Sequence, residues 1–310
     1  MAFKLALGRF ALAARRSHPD KLAKTQDAAS HADIAAQMGV GATEASGPLV
    51  SCAPPRLNQG QSGSCTAHSF VAALATRCKY TKQEPSFLAS PRECYACTRA
   101  WERTAAAPSG PLTALTDSGA ELADVVASVA VFGVSPIVNP PTPDGRESDI
   151  WTDADVQGIP NAPPANVNLE PDGQQLEAAA ADPLSGAYTI RLTASNAVSV
   201  AVAALAAGMP LYVGFFCDTA FQNLQFGQVA AAPDQSDPNG GGHAVFLIDS
   251  RPSKTVAGTV EFLLDNSWGS WAGGLADNDG MVWVSEAFFL AIWEAWVVDE
   301  KLIALRKAAA

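Results

Sequence analysis

Asn58–Phe70 reads NQGQSGSCTAHSF, a run of small and amide side chains that gives way to an apolar-periodic segment. From Cys65 onward Ala67, Phe70, Val71, Leu74 and Cys78 recur at the spacing of one helix face, about 100° per residue, which places Cys65 in the first turn of a helix. With Cys65 as the origin of the helical wheel the apolar stripe centres about 190° away, so the thiol is expected to point away from the packing face. A sulfur there sits in the field of unpaired first-turn N–H groups, which favours thiolate and lowers the pKa below the free value of about 8.5. Gly60 and Gly63 permit a tight turn that brings backbone close to a bound group. The residues alone leave two readings of Cys65, a nucleophile and a small thiol at a helix start.

A nucleophilic thiolate needs a base whose protonated form pairs with it and a third group to orient the imidazole. The chain has four histidines, His18, His31, His68 and His243. His18 and His31 lie in the N-terminal lead-in. His68 follows Cys65 by three residues on the same helix, so its ring runs alongside the thiol and reads as a packing residue. His243 stands in NGGGHAVFLIDS, at the entrance to a β-rich run, where the glycines leave the ring reachable. Asn266 stands in LLDNSWG on the next such run, and antiparallel pairing of the two would bring its amide beside the imidazole.

QGQSGSC, GGHAV and NSWG occur in that order and resemble the papain-like (C1 family) cysteine peptidases, over roughly residues 56 to 300. NQGQSGSCTA, with Thr66 after the cysteine, DSGAELADVVASVAVFGV and GMVWVSEAFF are similar to the bacterial and phage-type branch of that family. The resemblance implies an α+β fold, a helical left subdomain and an antiparallel β-barrel-like right subdomain with the active-site cleft between them. It implies Cys65 as nucleophile, His243 as its imidazolium partner, Asn266 as the group orienting that ring, and Gln59 with the Cys65 N–H as oxyanion donors. Trp268 is implied to cover the Asn266–His243 hydrogen bond, Trp271 to support the same wall, and Gly63 to shape the nucleophile turn. Ser62 stands where many members carry a disulfide-forming cysteine. The Cys65–His243 separation of 178 residues exceeds the ~130–150 of papain-type enzymes, and a Pro-rich connection accounts for the excess.

Five stretches are expected. Residues 1–57 form an Ala-rich, partly helical lead-in with a basic arm. Residues 58–135 are helical and carry Cys65, with a second helix over ELADVVASVAVFG capped by Asp117 or Ser118. Residues 136–187 hold nine of the 21 prolines and form the connection. Residues 188–300 are β-rich (AYTIRL, PLYVGFF, GHAVFLIDS, TVEFLLDNSW, GMVWVSE) with one helix, NAVSVAVAALAAGM. Residues 301–310 are a tail.

Charge separates the arm from the rest. Residues 1–24 carry Lys4, Arg9, Arg15, Arg16, Lys21 and Lys24 against the one acid Asp20, a net +5, while the remainder, with 14 basic and 30 acidic side chains, is −16. An acidic body does not neutralise phosphates, so no nucleic acid is expected on it. The arm is expected to dock on an acidic partner or assembly, or on the protein's own acidic face. Arg9 breaks the apolar region a signal peptide needs, and no apolar run reaches the ~20 residues of a membrane span, so a cytoplasmic or virion-associated chain is expected ahead of a secreted one. Cys94 and Cys97 form a lone C-x-x-C without a nearby histidine; no metal and no cofactor are expected. The implied activity is a cysteine endopeptidase acting on protein or peptide. The alternatives are a papain-like module with a structural or binding role, as in a virion, and an amide hydrolase or acyl transferase on cell-wall peptides.

Overall fold

The computed structural model describes residues 12–23, 25–27, 47–83, 88–106, 116–134, 137, 187–225, 227–269, 271 and 280–299. The 136–187 connection, apart from two residues, and the 301–310 tail lie outside the described residues, as does most of the lead-in between 28 and 46.

The lead-in is not simply helical. It contains strand β1 (Ala14–Arg15), a single turn α1 (Pro19–Leu22) with Pro19 in its first turn, strand β2 (Gln26–Asp27) and a 3-10 turn at Val50–Cys52. Three helices follow: α2 (Cys65–Thr81), α3 (Pro91–Ala106) and, after the two-residue strand β3 (Ala120–Glu121), α4 (Leu122–Phe132). β1 pairs with β3 in parallel, a two-stranded ribbon apart from the main sheet.

The C-terminal half supplies β4 (Tyr188–Thr189), α5 (Ala197–Ala206), β5 (Leu211–Cys217), α6 (Thr219–Gln222), β6 (Val229–Ala230), β7 (Gly241–Pro252), β8 (Val260–Asp265), β9 (Met281–Ser285), α7 (Glu286–Ala291) and β10 (Glu294–Val297). One eight-stranded sheet runs β2-β4-β10-β5-β7-β8-β9-β6, with antiparallel pairing throughout its centre. β5 and β7 read as near-continuous apolar runs because they are buried on both faces, helix on one side and the sheet's aromatic core on the other. A register shift between Leu247 and Asp249 interrupts the β7–β8 ladder. AYTIRL contributes only Tyr188 and Thr189, and Glu294–Val297, unforeseen from its short apolar run, is an inner strand of the sheet.

α2 is the element on which the two halves meet. Phe70 packs edge-on against Tyr212 of β5, centroids 5.4 Å apart, and Ser69 Oγ donates to the Ala244 carbonyl of β7 at 2.7 Å. The stripe expected on α2 is therefore only part of its packing: Cys65 through Leu74 are all buried, because the sheet covers one face and α3 and α4 the other. The helix stops where Lys82 takes a left-handed conformation and Gln83 N–H returns to the Cys78 carbonyl.

The cap of α4 also differs from expectation. Its N-terminal boundary is Glu121, with no side-chain cap, and Asp117 is instead spent on the nucleophile turn. The helix starts later because residues 120–121 are extended against β1.

Candidate active site

The turn before Cys65 is built from hydrogen bonds that close on themselves. Asn58 bridges to Trp268, Gln59 N–H donates to the Ser267 carbonyl at 2.8 Å, and Ser267 Oγ donates to Gln59 Oε1 at 2.7 Å. Gln59 Nε2 in turn donates to the Ser62 carbonyl at 2.9 Å. Ser62, at the position of the absent half-cystine, donates from Oγ to the Gln59 carbonyl at 2.8 Å and meets Ser64 Oγ, so hydrogen bonds hold the turn in place of a disulfide. All six cysteines are free thiols. Gly63 N–H donates to both oxygens of Asp117, at 2.9 and 3.0 Å, and Tyr95 Oη donates to the same carboxylate at 2.8 Å.

His243 lies near the start of β7 and Asn266 immediately after β8, so antiparallel pairing of the two strands brings them together. His243 Nε2–H donates to Asn266 Oδ1 at 2.9 Å. That bond leaves Nδ1 as the lone-pair nitrogen, and Nδ1 has no partner among the described residues. Trp268 stacks on the imidazole, centroids 4.4 Å apart and 25° from parallel. Trp271 stands edge-on to Trp268 at 5.3 Å and is tied by its indole N–H to the Gln222 carbonyl at 3.1 Å. Cys65 meets this wall across the α2–β7 contact, where Ser69 of the same helix donates to the carbonyl of Ala244, the residue after His243.

His68 sits elsewhere. Nδ1 donates to the Ser64 carbonyl at 3.0 Å, the ring is buried, and it lines a small internal cavity with Asp265 and Asn266. Cys94 and Cys97 are both buried on α3, and Cys97 Sγ approaches Glu93 Oε1.

Residues 12–15 of the arm run through the cleft. An added Cβ on Gly119 would lie 1.7 Å from the Ala13 carbonyl oxygen, and one on Gly242 would lie 1.7 Å from the Ala14 carbonyl oxygen. Gly119 also has φ +74°, so two constraints act on it at once. Gly63 and Gly241 approach Ala13 and Leu12 in the same way. The glycines of the GGGH run, read as leaving the ring reachable, are the surface along which a second backbone lies. The arm's positive charge raised docking on the protein's own acidic face, but not this path over the glycines.

Burial decides the electrostatics. Burial pushes the Cys65 thiol up to about 11, and hydrogen bonding from the backbone of Ala244, Ala13, Thr66 and Ala14 offsets only part of the effect. Burial likewise pulls His243 down to about 4, against the opposing hydrogen bond to Asn266. The lowered thiol pKa expected from the helix start is thus reversed with the arm seated, because removal of water outweighs the helix N-terminus. Burial thus favours the uncharged form of both groups.

No family model matches the sequence, and no curated protein matches it significantly. Among solved structures the chain is similar to xylellain, a cysteine protease from Xylella fastidiosa, with TM-score 0.60 and 20% identity over 94% of this chain and 96% of that one. Digestive procathepsin L 3 of Tenebrio molitor larval midgut aligns with TM-score 0.47 and 16% identity, covering 83% of this chain and 71% of that one. Helices packed against a large, mostly antiparallel sheet, with the architecture shared by xylellain, give this chain the α+β fold of the papain-like cysteine proteases.

Proposed function

We propose that the chain is a cysteine peptidase that hydrolyses peptide bonds through Cys65 and His243 and that the covered cleft is its resting form. The observation that supports it most directly is the His243–Asn266 hydrogen bond under Trp268, with the free ring nitrogen on the wall that meets a buried thiol at a helix start. When residues 12–15 leave, water reaches the pair, the burial penalty falls, and the backbone of Ala244 and Thr66, which stays behind, favours the thiolate. The thiolate attacks the scissile carbonyl, His243 protonates the leaving amine and then draws a proton from water to release the acyl group. Gln59 Nε2 and the Cys65 N–H stabilise the oxyanion, each donor worth about 2.7–4 kcal/mol. Asn266 holds the ring, and Trp268 keeps water from competing for that bond.

The test is hydrolysis of a dipeptide-fluorophore by the full chain, by a chain lacking residues 1–23 and by Cys65→Ser. Activity that appears on truncation and vanishes in Cys65→Ser supports the reading. A truncated chain that is folded, alkylated at Cys65 and still inert toward peptides sinks it and favours a binding module.

A further inference from the structure

The arm is itself a bound peptide, and its contacts describe what the cleft holds. Ala13 and Ala14 lie against the glycines Gly63, Gly119 and Gly242, and beyond them Arg15, Ser17 and Lys21 each reach a carboxylate of the body. Arg15 pairs with Glu102, whose other oxygen accepts the Glu121 N–H at 2.9 Å. Ser17 donates from N and Oγ to Glu294 at 3.0 and 2.7 Å while its Oγ accepts the Ala123 N–H at 2.8 Å, which ties β10 to α4 across the groove. Lys21 Nζ reaches Glu121 and Asp124, each at 2.7 Å, and Asp124 is only 4% exposed. Burial pushes Glu102 up to about 7 and raises Glu294, so these carboxylates are poorly hydrated where they sit. Emptied of the arm, Glu102, Glu121 and Asp124 are left together on one wall and Glu294 across the groove from them.

We propose that the cleft is specific for cationic peptide segments, with small residues at Cys65 and Arg or Lys on the Glu102–Asp124 wall, and that the arm is its intramolecular competitor. The proposal rests on the peptidase reading for turnover, but not for binding. The arm blocks without being cut because the Ala13 and Ala14 carbonyl oxygens face Gly119 and Gly242.

The experiment uses the full chain carrying Arg15→Glu and Lys21→Glu. Its Cys65 is alkylated by iodoacetamide at least tenfold faster than in the parent, and a synthetic peptide of residues 9–23 added in trans restores the protection. The same peptide with glutamate at both cationic positions gives no protection. Arg- or Lys-bearing substrates are cut in preference to Glu-bearing ones, and Glu102→Gln with Asp124→Asn abolishes the preference. Should the reversed variant fail to fold by circular dichroism, Arg15→Ala with Lys21→Ala takes its place. Equal protection by both peptides, or an unchanged alkylation rate in a folded variant, overturns the proposal. Hydrolysis without charge preference overturns it and leaves the peptidase reading standing, whereas protection by the basic peptide without any hydrolysis does the reverse.

Discussion

The wall that carries His243 and the arm that covers it are held by different forces. Gln59, His243, Asn266 and Ser267 are buried, and their bonds are made largely to one another and to backbone. Breaking any of them strands a polar group away from water, at about 1–3 kcal/mol. The arm is held by β1–β3 pairing, by the buried Ser17–Glu294 bonds and by ion pairs whose cations stay wet, Arg15 46% and Lys21 32% exposed in their side chains. Such pairs contribute roughly 0–1 kcal/mol each. A fixed site and a releasable cover therefore sit in contact, and the difference lies in how much water each partner keeps.

The sharpest test of the fixed half is His243→Ala in arm-released protein. Loss of the general acid–base should lower the hydrolysis rate roughly 10²–10⁴-fold, while circular dichroism remains unchanged. Phe70→Ala probes the packing beneath the site: a fully buried ring at the α2–β5 contact should cost about 3–5 kcal/mol in denaturant unfolding.

The cover can be broken from the body side without touching the arm. Gly242→Ala puts a Cβ onto the Ala14 carbonyl oxygen, so the arm is expelled and Cys65 alkylation should rise about as much as on charge reversal. An unchanged rate would mean the arm does not occupy the cleft in solution. In 1 M salt, where the Debye length shrinks to about 3 Å, the parent protein should show a smaller rise of the same sign.

Acid distinguishes the two halves more finely. Burial holds His68 at about 4, against an ordinary 6.5, so the unfolded chain takes up a proton between those values that the native state refuses. Stability is present above pH 6.5 and is lost as pH falls toward 4, at about 1.4 kcal/mol per unit of difference. His243 adds a contribution of the same sign, whereas Asp265, raised to about 7 by burial, contributes below pH 3.8 and loses that contribution as pH rises. Comparing parent with His68→Gln isolates one group, and the variant should show the shallower acid loss.

How much of this was readable in advance depended on range. Cys65, His243, Asn266 and Trp268 stand in short segments whose turn, strand and glycine chemistry is local, so their elements were legible. α4 and α5 were legible for the same reason, as long apolar-periodic runs. Asp117 misled because a carboxylate before a helix is ordinarily its cap, and only the fold brings Gly63 N–H and Tyr95 Oη to it. The stripe on α2 misled because a wheel shows which face is apolar, not that both faces are covered.

By itself the sequence determined the α+β class, the helix that begins at Cys65, the strands that carry His243 and precede Asn266, and the charge contrast between arm and body. Each follows from local periodicity or from counting. Only the tertiary structure decided that the arm's charge is answered by Glu102, Glu121 and Asp124, that its backbone lies on Gly119 and Gly242, and that burial favours the uncharged thiol and imidazole. Those outcomes depend on which distant segments exclude water from one another, and desolvation belongs to the packed assembly of residues, not to any stretch of them.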